Sequence, residues 1–499
     1  MAEYRLSKSR IIASKQCQKR LWLQIHRPEL LEISSGAEQG FQIGYEVGDV
    51  AQGLYPNGIL IQDDDDLSAA IASTKAAMAD HPGHPIFEAT FQHEGVLVRI
   101  DLLLPTETGY RMVEVKASAS VKSYHVDDCS VQAWVIKQSG VALTSIELAH
   151  IDTSFVYQGD GDYRGIFHYE KLNDIASSSV ALVPEWIRDA RRTLAGAEPD
   201  IASGAQCNDP FECPFIAYCT QHIEQPIQPE YSLDVLYRMR NDTKIALRSQ
   251  GIDDARRVPE EFLNETQQRI QRISRTGVAE LLPTAGTTLI SLPYPRYYLD
   301  FETITLAVPR WEKTRPYATQ VPFQWSCHIE ESRGQINHQM FLDLTGNDPR
   351  RGCAEAMIEA LGCHGPIFVY FQAFEKSRIV ELAGLYPDLA PALEAINLRI
   401  VDLLPITRAN YYHPAMKGSW SIKAVLPTIA ADLRYDLLAV GNGGDAQVAF
   451  REVLHPNTSD ARKKELTEGL SQYCELDTMA MVRLAWFFQD KHVVNEGLE

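Results

Sequence analysis

Apolar and polar residues alternate along several stretches of this chain, and the alternation within residues 86–116 predicts β-strands. One run, GVLVRIDLLL, contains Asp101, the turn-rich residues PTETG follow, and a second run ends in Glu114-Val115-Lys116. Side chains alternate faces along a strand, so Glu114 and Lys116 point the same way, and an antiparallel partner can bring Asp101 beside them. The pattern therefore predicts two carboxylates and a lysine on one face of a sheet.

Helices and strands are predicted to alternate through the rest of the chain. The elements predicted in the N-terminal part are helices at 67–80, 128–138 and 182–196 and strands within 144–170. The four aspartates at 63–66 are expected in a loop or at a helix start. Strand and helix patterns alternate from near Tyr294 to the C-terminus, which is typical of α/β architecture. The predicted domains are residues 1–222, a helical connector at 223–290, and residues 291–499.

A second set of carboxylates lies in the C-terminal half. YYLDFET places Asp300 and Glu302 on one face of a strand end. VYFQAFEKSRI places Glu375 at a strand-to-helix junction. YCELDTMAMV places Tyr473 and Asp477 one helical turn apart, on the same helix face.

Each carboxylate set suits a divalent-cation site. Carboxylates hold hard cations such as Mg²⁺, and a cation and a lysine together offset the charge of a scissile phosphate. The alternative for the first set is an ordinary edge strand, since Val-Glu-Val-Lys also fits a polar face in water. A single acid-x-acid pattern, as at Asp300 and Glu302, occurs by chance in most long chains.

Composition restricts the class of protein. The chain has 499 residues, 45% hydrophobic and 23% charged, as in globular proteins of two to four domains. No apolar run has membrane-spanning length, and the first residues lack a signal-peptide core, so we expect no membrane association. Nine cysteines, an odd number, argue against a disulfide framework and for a reducing, cytoplasmic location.

The net charge of −19 disfavours non-specific adhesion to nucleic acid. A nucleic-acid site would therefore require metal ions or a local basic patch. One candidate patch lies between Lys8 and Arg27, where six basic residues occur without an acid. The alternative is a solvated helix face.

The first carboxylate set carries a family resemblance. Asp101, followed after twelve residues by Glu114-x-Lys116 and by a helix with Gln132, resembles the PD-(D/E)XK nuclease superfamily. The likeness is closer to its RecB-type branch, which includes CRISPR-adaptation nucleases and AddB-type repair nucleases. The resemblance implies that Asp101 and Glu114 bind metal, that Lys116 is catalytic, and that Gln132 orients the site.

The chain departs from that branch at one position. RecB-type enzymes have a Gly-x-x-x-His motif on an upstream helix, but in GYEVGDVAQG the residue four after Gly48 is Gln52. One expected metal ligand is therefore missing, and Glu46 is a weaker substitute. We expect Glu88, on the preceding strand, to be structural or peripheral.

Four cysteines extend the resemblance. Cys207, Cys213 and Cys219 form a compact triplet, and Cys17 lies far upstream. RecB-type nucleases with this arrangement hold a [4Fe–4S] cluster. Here such a cluster would link the segment around Cys17 covalently to the rest of the domain. Zinc and free structural thiols are the alternatives, although the close cysteine pairs of most structural zinc sites are absent. The other five are expected to be packed thiols: Cys129, Cys327, Cys353, Cys363 and Cys474.

The second carboxylate set resembles the DEDD exonucleases of the DnaQ and RNase D type, whose fold is RNase H-like. The resemblance implies that Asp300, Glu302, Glu375 and Asp477 bind two divalent ions, and that Tyr473 positions the attacking water. Glu375 stands where most of these enzymes have aspartate.

Three further positions in the C-terminal half bear on this resemblance. Gln472 occupies the place where the histidine subtype needs histidine, which favours the tyrosine subtype. Asp402 matches a strand-end aspartate of the fold and is treated as secondary. Lys423 either contacts phosphate or is an exposed structural lysine.

Nearly the whole chain resembles a bacterial family of uncharacterised proteins that joins a RecB-like half to a DEDD-like half. The expected activity is a nuclease using Mg²⁺ or Mn²⁺ that trims single strands or ends of DNA, 3′→5′ by the C-terminal module, in repair or defence with partner proteins. The alternatives are an RNA-processing exonuclease and a nucleic-acid-binding scaffold with a catalytically weak N-terminal module. Trp311, Phe323 or Trp420 would form a stacking platform, unless they belong to the core.

Overall fold

The computed structural model describes residues 6–62, 66–221 and 229–496. The chain is mixed α/β and divides into two compact units. The first unit comprises residues 1–224 and 306–319, and the second comprises residues 225–305 and 320–499. Among the helices of the described chain, none combines the length and apolar character needed to cross a bilayer.

The first unit contains a mixed sheet. Its strands are β1 (Leu6–Ser7), β2 (Ile59–Leu60), β3 (Ile86–His93), β4 (Val96–Thr106), β5 (Gly109–Lys116), β6 (Leu143–Ile151) and β7 (Phe167–Lys171). Its helices are α1 (Lys8–Gln16), α2 (Gln18–His26), α3 (Ser35–Gly53), α4 (Leu67–Asp80), α5 (Ser123–Gln138), α6 (Asn173–Ala195) and α7 (Ile216–Thr220). The strand order is β2-β3-β4-β5-β6-β7, with β1 paired to β4.

A core lies on each face of this sheet. The first core packs the sheet against α1, α5 and α6 and includes Ile100, Met112 and Leu148. The second core lies on the opposite face, with α3 and the segment 306–319, and includes Val113. Met112 and Val113 belong to opposite cores, so Glu114 and Lys116 lie on the first-core face.

The second unit contains a five-stranded sheet and many helices. Its strands are β8 (Glu280–Leu281), β9 (Arg296–Ile304), β10 (Val321–Ser332), β11 (Gln335–Leu342), β12 (Ile367–Val369), β13 (Ile400–Asp402) and β14 (Tyr411–Tyr412). Its helices are α8 (Asn241–Ser249), α9 (Glu265–Thr276), α10 (Thr284–Ile290), α11 (Arg350–Leu361), α12 (Gln372–Leu385), α13 (Ala390–Leu398), α14 (Leu403–Asn410), α15 (Ile422–Ile429), α16 (Gly443–Leu454) and α17 (Asp460–Glu496).

The sheet order in the second unit is β11-β10-β9-β12-β13. β10 is antiparallel to its neighbours β9 and β11, whereas β9, β12 and β13 are parallel. On β9, Leu299 and Phe301 pack into a core with α11, α12 and α13, while Tyr298 belongs to the core that contains α17. Asp300 and Glu302 therefore lie on the α17 side of the sheet.

Most predicted elements are confirmed. The helix at 67–80 has the predicted bounds, and Asp66, the last of the four aspartates, caps it; residues 63–65 lie outside the described chain. The helix predicted at 182–196 begins earlier, at Asn173, because Ala176 and Val183 are buried and Pro184 is accommodated inside the helix. The helix predicted at 128–138 also begins earlier, at Ser123.

The segment predicted as a connector belongs to the second unit where the structure describes it. Helices α8, α9 and α10 lie in it. Leu233, Leu247 and Ile270 are buried in the same core as Tyr412 and Val482. Residues 229–290 therefore contribute to the core that supports α17.

Candidate active sites

Three acidic side chains meet in the second unit. Asp300 and Glu302 come from β9 and Asp477 from α17, and a carboxylate oxygen of each lies within 4.8 Å of the other two. The two strand residues share a face because they are two positions apart, and α17 packs over that face. The prediction that these three residues come together is confirmed.

Glu375 approaches the same cluster from the first turn of α12. The side chain is buried, and its Oε2 has no hydrogen-bond partner among the described residues. A buried carboxylate oxygen without a partner costs free energy unless a proton or a cation satisfies it. Glu375 therefore presents an unsatisfied oxygen in the neighbourhood of Asp300, whose charge it senses.

Two tyrosines and a lysine surround Asp477. Tyr435 donates a hydrogen bond of 2.5 Å to Asp477 Oδ1. Lys423 Nζ donates to the hydroxyl of Tyr473 at 3.0 Å and to the carbonyl of Gly441 at 2.7 Å. Lys423 is thus half-buried at the site rather than an exposed structural lysine. Tyr435 could not be identified from the sequence, because no motif connects it to Asp477.

The electrostatics of this cluster favour a cation. Burial, followed by repulsion from Asp477, raises the pKa of Asp300 to about 8. Burial and the charge of Asp300 raise the pKa of Glu375 to about 9. Burial first also raises the pKa values of Glu302 and Asp477. Four carboxyl groups with raised pKa values hold protons that a divalent cation would displace.

These shifts predict a pH-dependent stability. Asp300 binds its proton more tightly in the folded chain, so its contribution is fully present below the ordinary pKa of 3.8 and is lost as the pH rises toward 8. In metal-free protein we expect the stability of Asp300→Asn relative to wild type to increase by about 2–3 kcal/mol between pH 5 and pH 7. Urea unfolding at the two pH values measures this, and a constant difference would contradict the raised pKa.

Asp402 has a structural role in the fold. Its carboxylate accepts hydrogen bonds from the backbone N–H groups of Phe371 and Gln372, each at 3.0 Å, and from Leu404 at 2.9 Å. It therefore caps α14 and holds the start of α12, which carries Glu375. These hydrogen bonds agree with the prediction that Asp402 is secondary to the four carboxylates of the site.

The predicted stacking platform is wrong. Trp311, Phe323 and Trp420 are all buried, with no more than 6% of any of the three residues exposed. An exposed aromatic side chain, Phe371, instead lies at the start of α12, four residues before Glu375.

In the first unit, the predicted carboxylates and lysine also come together. Asp101 Oδ2 accepts a hydrogen bond of 2.6 Å from the backbone N–H of Val115, next to Glu114. Lys116 Nζ donates to Glu114 Oε1 and to Asp128 Oδ2, both at 2.8 Å. Asp128 lies four residues before Gln132 on α5, a spacing that places both on one helix face.

Glu114 has further partners from two helices. Lys8, the first residue of α1, approaches Glu114 Oε1 at 2.5 Å. Gln132 Nε2 donates to Glu114 Oε2 at 2.5 Å, while the buried Oε1 of Gln132 has no partner among the described residues. Gln132 thus orients Glu114 as predicted. From the sequence alone, Lys8 belongs only to the candidate basic patch.

The pKa values of the two carboxyl groups in the first unit shift in opposite directions. Burial and repulsion from Glu114 raise the pKa of Asp101 to about 7. Burial alone would raise the pKa of Glu114, but attraction to Lys116 and Lys8 outweighs it and lowers that pKa. Glu114 is therefore held as a carboxylate, and Asp101 titrates near neutral pH.

Near Asp101, the alternation of side chains between the two faces of the sheet is reversed in β3 and β4. Ala89 and Ile100 face the first core, whereas Phe87 and Leu102 face the second, although the register between β3 and β4 is unchanged. The reversal occurs at Glu88, whose φ of 53° is in the left-handed region. A non-glycine residue in this region stores strain, which is common beside functional sites. The charge of Glu88 also acts on Asp101.

The substitute ligand Glu46 has another partner. Glu46 on α3 pairs with Arg310 Nη2 at 3.1 Å, and its role as a substitute metal ligand stays a prediction. An arginine neutralises the carboxylate, which reduces its use as a metal ligand. Gln52 lies in the last turn of α3, where it offers an amide in place of the family histidine.

The four predicted cluster cysteines line one small pocket. Cys17 lies between α1 and α2, and Cys207, Cys213 and Cys219 lie around the buried Phe215. None of the four is in a disulfide bond. Lys19 and Arg20 line the same pocket and would offset negative charge on thiolates. Of the remaining five, Cys129, Cys327, Cys353 and Cys474 are buried as predicted, and Cys363 is exposed.

The spacing of these thiols bears on the group they could hold. A tetrahedral zinc ion with bonds of about 2.3 Å holds its sulfurs about 3.8 Å apart. Within the described chain, the sets of three or more ligand atoms closer than 4.8 Å to one another include no cysteine. In the described conformation the four thiols are therefore not gathered as closely as the ligands of one zinc ion.

Comparisons with known proteins give a partial match. The sequence model of a family described as a domain of unknown function (DUF2779) matches residues 297–421, which include Asp300, Glu302 and Glu375. The chain is similar to an uncharacterised protein of Ureaplasma parvum serovar 3, with 26% identity over 224 residues, 40% of this chain and 32% of that protein. It is also similar to an uncharacterised protein of Mycoplasma pneumoniae, with 28% identity over 215 residues, 39% of this chain and 32% of that protein.

These matches cover only part of each protein. The chain spans about a third of the length of the curated relatives that it matches. No solved structure matches the chain.

Proposed function

We propose that this protein is a divalent-metal-dependent nuclease with two sites, of which the second unit carries a 3′→5′ exonuclease. The observation that carries the proposal is the set of three carboxylates, from Asp300, Glu302 and Asp477, with oxygens within 4.8 Å of one another. Glu375 adds an unsatisfied buried oxygen. These four carboxyl groups form no ion pair with another described residue, and they are best explained as ligands of divalent ions.

The fold of the second unit supports the same assignment. The sheet has the strand order three-two-one-four-five, counted from β9, and its second strand is antiparallel to the others. This order agrees with the RNase H-like interpretation. The first and fourth strands, β9 and β12, are parallel neighbours. Because α12 begins just after β12, its first turn lies near the acidic residues of β9.

The chemistry of the second site divides among named groups. Asp300, Glu302, Glu375 and Asp477 would hold the divalent ions, which would supply a polarised water and stabilise the leaving oxygen of the phosphodiester. Tyr435 donates a hydrogen bond to Asp477 and so orients it. Lys423 donates a hydrogen bond to the hydroxyl oxygen of Tyr473, which would position the attacking water. Phe371 offers an exposed ring on which a terminal base can stack.

In the first unit, Asp101 and Glu114 are the proposed metal ligands, and Lys116 is the proposed contact to the scissile phosphate. Both oxygens of Glu114 are already engaged, by Lys8 and Lys116 on one side and by Gln132 on the other. A cation must compete with these ammonium groups for the carboxylate. This observation favours a second candidate for the first unit, a nucleic-acid clamp with weak catalysis.

DNA is the proposed polymer, and RNA is the alternative. The net charge of −19 makes binding depend on local cations, so both sites require metal ions or lysines near the phosphates. The DEDD exonucleases that the second site resembles bind one strand end at a time. Single strands and frayed ends are therefore the proposed substrates.

A [4Fe–4S] cluster is the proposed occupant of the cysteine pocket. Cys17, Cys207, Cys213 and Cys219 would hold it, and it would tie the α1–α2 junction to residues 207–219. Its proposed role is structural. The lining of one pocket by all four cysteines supports the proposal.

Replacing one of these cysteines is expected to remove the cluster. Anaerobically purified wild type should contain about four iron atoms per chain with visible absorption, and Cys207→Ser should lose most of both. The control is Cys363→Ser, which alters an exposed thiol of the second unit. Iron and sulfide analysis measures the result, and a zinc-loaded or metal-free wild type would contradict the assignment.

The proposed activity is tested by incubating anaerobically purified protein with 5′-labelled single-stranded DNA and RNA of the same sequence. With Mg²⁺ or Mn²⁺ we expect a ladder that shortens from the 3′ end, and no product in EDTA. The preferred polymer decides between DNA and RNA. If neither is cut with either metal, the nuclease proposal is wrong and the scaffold takes its place.

A further inference from the structure

We propose that His150, His168 and Glu170 form a third cation site, in the first unit, for a divalent ion of the zinc class. His150 lies on β6 and His168 directly opposite it on β7. Glu170 lies two residues further along β7 and so on the same face. One ligand atom from each of the three side chains lies within 4.8 Å of the other two.

The histidines are arranged as metal ligands. His150 Nδ1 lies 3.2 Å from the carbonyl oxygen of Ile151, and a proton on Nδ1 leaves the Nε2 lone pair available. Ligating histidines almost always donate their second ring N–H in this way, which fixes the ring. His168 Nε2 lies 3.2 Å from Glu170 Oε1, so both atoms can turn to a shared ion.

The donor set distinguishes this site from the carboxylate sites. Two imidazoles and one carboxylate suit Zn²⁺ and its neighbours, whereas Mg²⁺ prefers oxygen ligands only. Three protein ligands leave a coordination position for water or for an oxygen of a bound molecule. His168 and Glu170 are exposed, so an ion from solution can reach them.

The site lies beside the proposed nuclease site of the first unit. Lys116 pairs in register with His150, and neighbouring strands are about 4.8 Å apart. His150 and Lys116 also share the first-core face of the sheet. An ion held there would add positive charge near the surface that the proposed function assigns to phosphates, but its binding does not depend on that function.

The test is a Zn²⁺ titration of the cluster-loaded full-length protein in excess Mg²⁺, read by competition with a zinc indicator. Excess Mg²⁺ occupies the oxygen-only sites. We expect one tight equivalent in wild type that is lost in His168→Ala, and at least about tenfold weaker binding in Glu170→Gln. Zn²⁺ should also raise the unfolding temperature of wild type but not of His168→Ala.

The control is His84→Ala, which alters another exposed histidine pair, since the His84 ring lies 5.5 Å from that of His81. This variant should keep the tight equivalent. If His168→Ala does not fold, Glu170→Gln gives the same comparison with an isosteric change at an exposed position. Wild-type Zn²⁺ affinity in both variants would overturn the site. A protein without nuclease activity that still binds this equivalent would refute the proposed function alone.

Discussion

Replacement of Asp300 by asparagine is expected to reduce the Mg²⁺-dependent 3′→5′ ladder at least about 1,000-fold, equivalent to about 4 kcal/mol of activation free energy. The amide has the shape of the carboxylate but not its charge. Of the three clustered carboxylates, only those of Glu302 and Asp477 remain. The measurement is the single-turnover rate of loss of the terminal nucleotide from a 5′-labelled single strand.

Loss of folding would also reduce this rate, so stability must be measured on the same variant. The substitution removes repulsion between Asp300 and Asp477, and we expect the metal-free variant to unfold at no lower temperature than wild type. The matched control is Asp436→Asn, which alters an exposed aspartate that pairs with Arg434. A ladder equally strong in the two variants would remove Asp300 from the site.

Replacement of Glu114 by glutamine is expected to lower the free energy of unfolding by about 3 kcal/mol. Glu114 is 1% exposed and is the shared partner of Lys8 and Lys116. Without its charge, two ammonium groups are left around a neutral amide. Their side chains retain 21% and 23% exposure, so residual solvation keeps the loss at the lower end of the range for broken buried pairs.

Urea unfolding, followed by a probe of the first unit, measures this loss. Glu107→Gln is the control, because Glu107 is exposed in the turn between β4 and β5 and should change stability by less than about 0.5 kcal/mol. If Glu114→Gln is as stable as this control, the two lysines do not depend on Glu114. The site would then be more open to a cation than the contacts indicate.

Site residues that lie close together in the sequence could be predicted to share a face. Asp300 and Glu302 share a face because they are two residues apart on a strand, and Tyr473 and Asp477 because they are four apart on a helix. The hairpin likewise brings Asp101 to Glu114. Helix and strand existence was predictable for the same reason, since burial periodicity is local.

Contacts between distant segments could not be predicted in this way. Tyr435 lies 42 residues from Asp477, and Lys8 lies 106 residues from Glu114. Their approach depends on how α1 and the loop before α16 pack, and no local pattern encodes it. The aromatic residues failed for a related reason, since an apolar ring such as that of Trp420 has the same sequence signature in a core and on a platform.

The segment 306–319 has a consequence for the order in which the chain folds during synthesis. It follows β9 of the second unit, yet Ala307 and Val308 complete the second core of the first unit. The ribosome has therefore made the first strand of the C-terminal sheet before the N-terminal unit can close its core. A fragment that ends at residue 224 would lack this segment, so neither unit can be expressed whole as one continuous piece of the gene.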